Sequence, residues 1–386
     1  MNKLYINFRK AADLCLIDAE DALYKATGGK AFRKNISESV NVRKIKSNVK
    51  IISEDEESVT IAKTDKDGNI LDENFRILST TDLHVGDDEK RRIKTFSMLE
   101  KQIFSTKPDL IVFTGDIILS KYQHLDTLEF ARFMEKTGVY WTIIFGNHEA
   151  RENKGPFKRL IYELMKSYPH CLIKIGREDL PGYGNFVINI LKSRTEIQKS
   201  LFLFDSGRSI NDEIRKKYSL PDDLNGYDFI RPEQIKWYRE KIRELKKYYG
   251  FFESFIYLHI PIPEYAQFIE KEGHPEFKFT GIGKVIYGHA YETVGCSDYN
   301  SGFYKAIKEE GSSKAMFAGH DHVNDFCVYW DGFYFVYSNC GGYETYDLGD
   351  RFGIYDEKKW PQGVTITDIK KDGSFEISQR FNSLYL

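Results

Sequence analysis

Three short runs decide how this chain folds: FRILSTTDLH at residues 75–84, LIVFTGD at 110–116 and WTIIFGNHE at 141–149. Each is an apolar stretch of strand length that stops abruptly at Gly, Asp, Asn or His. Such runs predict buried strands at Phe75–Thr80, Leu110–Thr114 and Trp141–Phe145. Segments of helical period separate them. Arg91–Phe104 places Ile93, Phe96, Leu99 and Ile103 on one face, and Leu125–Lys136 follows. The β-α-β-α-β order implies right-handed crossovers and a largely parallel core. In an open α/β sheet, ligands bind beyond the carboxyl ends of the strands. Asp82, His84, Asp116, Asn147 and His148, at the ends of these runs, are therefore expected on one rim.

Downstream, the spacing predicts a third helix over Phe157–Tyr168 and strands at Leu172–Ile175, Phe186–Leu191 and Leu201–Phe204. A helix is expected over Glu233–Tyr249. Strand Phe255–Leu258 ends at His259, and strand Lys314–Ala318 ends at Gly319-His320-Asp321-His322. Asp331-Gly332 joins strands Phe326–Trp330 and Phe333–Ser338, and Asp372-Gly373 joins a last pair. Upstream, Ala12, Leu16, Ala19 and Leu23 have helical spacing, residues 48–63 suggest strands, and Asp65-Lys66-Asp67-Gly68 reads as a turn. The expected division is an N-terminal extension over 1–70 and one α/β domain over 71–386.

Composition narrows the function classes. Of 386 residues, 41% are hydrophobic and 30% charged, a globular balance. Lys and Arg number 56 against 58 Asp and Glu, for a net charge of −2. That balance argues against a protein that tracks a nucleic-acid backbone. The five widely spaced cysteines form neither a disulfide framework nor a zinc ribbon, so free thiols are expected. No stretch has membrane-span length, and acids sit where a signal peptide needs an apolar run. The cytosol is the expected location.

Five of the nine histidines stand at strand ends or just beyond, beside Asp and Asn. One such histidine is unremarkable; five separate strand ends presenting Asp, Asn or His point to a metal site. Imidazole and carboxylate without thiolate suit Mn, Fe, Zn, Co or Ni. The set Asp82, His84, Asp116, Asn147, His259, His320 and His322 is too large for one tetrahedral ion, and two ions sharing a carboxylate fit it better.

The ordered motifs DxH, GD, GNH followed by Glu, a lone His and GHxH resemble the calcineurin-like metallophosphoesterases. Flanking residues, including Leu203-Phe204-Asp205-Ser206-Gly207, His259-Ile260-Pro261 and Asn300-Ser301-Gly302-Phe303, resemble the purple-acid-phosphatase-like branch. The resemblance covers roughly residues 73–350 and implies a four-layer sandwich, two mixed β-sheets flanked by α-helices. It assigns Asp82, His84 and His322 to one metal ion, Asn147, His259 and His320 to the other, and Asp116 to both. It further implies a metal-held hydroxide as nucleophile, since metal binding lowers the pKa of water toward ~7. His148 would then meet the phosphoryl oxygen or protonate the leaving group. Leu119 stands where the purple enzymes place their iron-binding tyrosine, so no purple colour is expected.

Arg151 is a further candidate substrate contact with Asn147 and His148, and Arg208 and Arg351 are weaker ones. Asp205 is a candidate to orient His148. Asp321 and Asp325 read as caps of the histidine turn, and His124, His170, His274 and His289 as surface or loop residues. The stretch Pro261–Lys314 reads as a lid, with Tyr291, Glu292 and Asn300 shaping the pocket. The function expected is hydrolysis of phosphate monoesters on a phosphorylated small molecule or phosphoprotein. The alternatives are a phosphodiesterase or nuclease on the same scaffold, and a metal-free binding module of the same fold.

Overall fold

In the computed structural model, which describes residues 39–120, 123–149, 158–270, 272, 275–354 and 362–382, a hairpin precedes the first decisive run. Its strands are β1 (Val49–Glu54) and β2 (Ser58–Lys63), and the Asp55 carboxylate accepts the Glu57 and Ser58 N–H groups at the turn. After the Asp65–Gly68 turn, the predicted alternation appears as β3 (Phe75–Thr80), α1 (Glu89–Thr106), β4 (Leu110–Phe113), α2 (Gln123–Thr137) and β5 (Tyr140–Ile143). Asp88 caps α1 by accepting the Arg91 N–H at 3.0 Å, the usual remedy for an orphan donor in a first turn. Then follow α3 (Lys158–Met165), β6 (Phe186–Ser193), β7 (Glu196–Leu203), α4 (Asp212–Tyr218), α5 (Pro232–Tyr249) and β8 (Ser254–Tyr257). A 3₁₀ turn (Pro263–Phe268) leads to β9 (Lys284–Tyr287), α6 (Phe303–Glu310) and β10 (Ser313–Ala318). The chain closes with β11 (Cys327–Trp330), β12 (Phe333–Tyr337), α7 (Leu348–Phe352), β13 (Gly363–Ile369) and β14 (Phe375–Phe381).

The strands form two mixed sheets. The larger has the order β1-β2-β6-β7-β8-β10-β12-β11-β9, the smaller β14-β13-β3-β4-β5. Side chains alternate across each strand, so period two sorts the apolar residues into layers. Leu110 and Val112 face Phe317, Phe255 and Leu201 between the sheets. Ile111 and Phe113 face Phe96, Phe130 and Met134 of α1 and α2 on the outside. On the larger sheet, Met316 and Ala318 meet Trp237, Tyr238 and Ile307 of α5 and α6. The result is helix, sheet, sheet, helix. Runs apolar on both faces are what this layering needs, at roughly 1.5–3 kcal/mol for each large apolar side chain buried.

Asp331 and Gly332 both have positive φ, 51° and 73°, the two left-handed residues a tight hairpin demands. Leu172–Ile175 does not form a strand. Cys171 makes a single parallel bridge to Trp141, and Leu172 N–H donates to the Trp141 carbonyl. Among the described residues the segment makes no further bridge to β5.

The described residues of the stretch Pro261–Lys314 are tied into the sheet and helix layers. β9 closes the edge of the larger sheet, α6 packs beside α5, and Tyr291 is buried against Val323 and Leu348. β1 and β2 lie within the segment assigned to the extension and extend the larger sheet through β6. The helical spacing at Ala12–Leu23 falls outside the described residues.

Candidate metal centre

β3, β4, β8 and β10 are neighbours across the two sheets, and the loops after them meet at one end of the sandwich. Backbone strain marks the spot. Asp82 (φ 51°), His84 (φ 43°), Asp116 (φ 51°) and His320 (φ 78°) all lie in the left-handed region. Non-glycine residues held there cost about 1–3 kcal/mol each and persist only where their surroundings fix them. After β3, β4 and β10 the chain passes through these positions, and the Asp82, His84, Asp116 and His320 side chains meet at the centre.

Two donor groups result: Asp82 with His84 and His322, and Asp116 with His259 and His320. Asp82 Oδ1 lies 3.3 Å from Nε2 of both His84 and His322, and those two nitrogens are 3.1 Å apart. Asp116 Oδ2 lies 3.3 Å from His259 Nε2 and 3.7 Å from His84 Nε2, so its carboxylate joins the groups. Asn147 Oδ1 is 3.0 Å from His259 Nε2. His148 is part-exposed, its Nε2 3.7 Å from Asp116 Oδ2 and its backbone N–H donating to Asp116 Oδ1 at 2.8 Å. The fold thus gathers the seven ligand-type residues and His148. Arg151 lies outside the described residues, as does His274.

Hydrogen bonds leave the right atoms facing inward. Asp82 Oδ2 accepts from Thr81 Oγ1 and the His320 N–H, while Oδ1 is buried with no hydrogen bond. His259 Nδ1 sits 2.8 Å from the Thr114 carbonyl, which fixes Nδ1–H as donor and turns Nε2 to the centre. His322 Nδ1 lies 2.5 Å from Thr345 Oγ1, a contact in which either atom can donate, and Nε2 again faces the centre. Asp82 and Asp116 are almost wholly buried. Burial alone would raise both carboxyls, but neighbouring histidine charges outweigh it and hold both below the ordinary range. Burial would lower His259, yet Asp116 and Asp82 push it up to about 10. His320 is driven down to about 3 by burial and then by the charge of His259. This donor set, oxygen and imidazole nitrogen with an orphaned Asp82 oxygen, suits a pair of divalent cations.

Glu149 is the residue whose work sequence reasoning left unassigned. Its carboxylate accepts the N–H groups of Asp116, Ile117, Ile118 and Gly146, tying two ligand loops together. Only its place after Gly146-Asn147-His148 hinted at this. Asp205 does not reach for His148. It accepts Lys158 Nζ at 2.7 Å and the N–H groups of Tyr183 and Gly207. Asp321, Asn324 and Asp325 staple the 289–295 segment, accepting N–H groups from Gly295, Tyr291, Glu292 and His289. Asn300 bonds Glu264, and His170 pairs with Glu135. His124, read from sequence as a surface or loop residue, is buried in α2.

The family model described as calcineurin-like phosphoesterase matches residues 75–324, which span the seven ligand-type residues and His148. The chain belongs to that family. Among curated relatives of this calcineurin-like phosphoesterase, "Probable inactive purple acid phosphatase 14" of Arabidopsis thaliana is 28% identical over 317 residues, 71% of this chain and 72% of the relative. "Phosphatase DCR2" of Saccharomyces cerevisiae is 28% identical over 279 residues, 66% of this chain but 45% of the relative. A dimetal phosphatase from Danio rerio superposes with a TM-score of 0.49 at 13% identity, covering 80% of this chain and 96% of that one. No helix among the described residues is long and apolar enough to cross a membrane.

Close packing in the phosphoesterase centre gives a direct test. A Cβ on Gly146 would fall 2.1 Å from Asp116 Oδ1. Gly146→Ala is therefore expected to displace the Asp116 carboxylate and weaken metal binding by roughly 10- to 100-fold. Competition against a chromogenic chelator measures this, with circular dichroism to establish that the fold persists. Unchanged affinity would mean the loop yields without moving Asp116.

Proposed function

We propose that this phosphoesterase is a metal-dependent phosphomonoesterase acting on a phosphorylated small molecule or phosphoprotein in the cytosol, and not on nucleic acid. The observation that carries the reading is Asp116 Oδ2, set between His84 Nε2 and His259 Nε2 at 3.7 and 3.3 Å. A carboxylate shared by two donor groups suits two ions spaced for phosphoryl transfer. Asp82, His84 and His322 would hold one ion and Asn147, His259 and His320 the other, with Asp116 between them. Such a pair supplies a nucleophile at neutral pH and positive charge for the phosphoryl oxygens. His148 would face the substrate, because it is the part-exposed imidazole at the mouth of an otherwise buried cluster. Its Nε2 would hand a proton to the departing oxygen. The Thr114, Thr81 and Thr345 contacts keep the ligand side chains aimed before substrate arrives.

A second reading, a binding module without turnover, is favoured by the word "inactive" in the names of Arabidopsis relatives. Against it, all seven ligand-type residues and His148 are present here. Hydrolysis of p-nitrophenyl phosphate beside its bis ester, with Mn, Fe, Zn, Co or Ni added to stripped protein, separates the cases. Metal-dependent monoester turnover is expected. Preferential cleavage of the diester would replace the proposal with a phosphodiesterase. No turnover by metal-loaded protein would favour the binding module.

A further inference from the structure

The segment after β12 supplies no ligand-type residue to the centre and lies beyond residues 75–324, which the family model matches. It nonetheless closes on one of the two donor groups. Residues 340–344 hold the loop of Asp82 and His84. Cys340 and Thr81 form a parallel bridge, and Gly341 N–H donates to the Thr81 carbonyl at 2.9 Å. A Cβ on Gly342 would fall 2.2 Å from the Leu83 carbonyl oxygen, so the two backbones touch. The Glu344 carboxylate accepts the Gly86 and Asp88 N–H groups, both at 2.9 Å.

Residues 345–351 hold His322. Thr345 Oγ1 lies 2.5 Å from its Nδ1, and the Tyr346 ring stacks on the imidazole with centroids 4.3 Å apart and 23° between planes. Arg351 lies over the Tyr346 ring, 4.4 Å from its centroid. Glu292 joins these parts. Its carboxylate accepts the Tyr346 hydroxyl, pairs with Arg351 and accepts the N–H of Val323, the residue after His322, at 3.1 Å. Stacking fixes the plane of the imidazole, and the Nδ1 contact fixes its rotation within that plane. Nε2 is left 3.3 Å from Asp82 Oδ1. A ligand aimed beforehand loses less freedom when it binds. The other donor group takes its supports elsewhere: His259 from the Thr114 carbonyl, and the Asp116 and Gly146 backbone from Glu149.

From this arrangement we infer that Thr345 and Tyr346 are positioning residues for one ion of the pair, the ion of Asp82, His84 and His322, so that their loss empties that site first. The inference rests on the two-ion phosphoesterase reading of the centre. Its physical content is an asymmetry: one donor group leans on a segment that the other does not use for the supports just named.

Manganese titration of the stripped full chain, followed by calorimetry and electron paramagnetic resonance, reads the sites without turnover. Wild type is expected to take up two Mn ions and give the spectrum of a spin-coupled pair. Tyr346→Leu should weaken one ion by roughly 10- to 100-fold and the other far less. At Mn concentrations that fill both wild-type sites it should hold one ion and give an uncoupled spectrum. Tyr346→Phe keeps the ring on His322 and should retain the coupled pair. Thr345→Val should repeat the selective loss and Thr345→Ser should restore the pair, which decides the matter if Tyr346→Leu does not fold. In a His322→Ala background, Tyr346→Leu should leave the affinity of the remaining ion unchanged. Equal weakening of both ions by Tyr346→Leu and Thr345→Val, or no weakening by either, overturns the inference, as does weakening of the remaining ion in the His322→Ala background. A wild type that binds fewer than two ions overturns the two-ion reading and the inference with it. A wild type that holds two ions and shows the selective loss, yet hydrolyses no monoester, fails the phosphomonoesterase reading and upholds this one.

Discussion

Replacing Asp116 by Asn is expected to abolish most hydrolytic activity while leaving the protein folded. Asp116 Oδ2 faces His84, His259 and His148, and Oδ1 accepts the His148 backbone N–H. The amide oxygen can keep the backbone contact, so the loop should hold. What disappears is the negative charge between the donor groups. Without it the two sites repel each other's cations. Metal content should fall below two ions per chain. Losing several kcal/mol of charge stabilisation corresponds to roughly a thousand-fold in kcat. Elemental analysis and steady-state kinetics at saturating metal measure both. A variant that keeps two ions and loses less than tenfold in kcat would show that Asp116 is not the shared ligand.

The second large effect is expected at Glu149. Four backbone N–H groups from two loops converge on its buried carboxylate. Burial and the nearby Asp116 charge raise its pKa, and the hydrogen bonds from Gly146 and Ile117 oppose them. Glu149→Ala leaves those donors without an acceptor in a dry site, at about 1–3 kcal/mol for each that cannot find another. A loss of about 3–5 kcal/mol in urea denaturation is expected, with the slope unchanged. Glu149→Gln retains one carbonyl oxygen and should lose less. A change under 1 kcal/mol for the alanine variant would mean the loops hold without the carboxylate. Because Glu149 anchors the loops that carry Asp116 and Asn147, its loss should also lower metal affinity by displacing the two together.

Much of this was legible in the residues. Strands that are apolar on both faces announce a layer buried on both sides. An apolar run ending in Asp, Asn or His places that residue at a strand's carboxyl end whatever the rest of the chain does. Those are local properties, set by side-chain period and by where the run stops, and they locate Asp82, Asp116, Asn147, His259 and His320 without coordinates. The Asp331-Gly332 hairpin is equally local, since both residues tolerate positive φ.

What sequence could not decide are relations between distant segments. The short runs Lys284–Tyr287 and Phe303–Glu310 lie in a stretch that reads as a lid, yet they pair with β11 and pack against α5. Their structure follows from partners many residues away. Glu149 looks like any acid after a histidine until the GD loop folds back onto it. Tyr227 and Tyr346 are two aromatics among many, and only packing against His320 and His322 gives them a place. The amino-acid sequence by itself determined which residues end the strands and what chemistry they carry. The tertiary structure decided how far apart they stand, which oxygen faces which nitrogen, and what walls the mouth, because those depend on how two sheets pack rather than on any one segment.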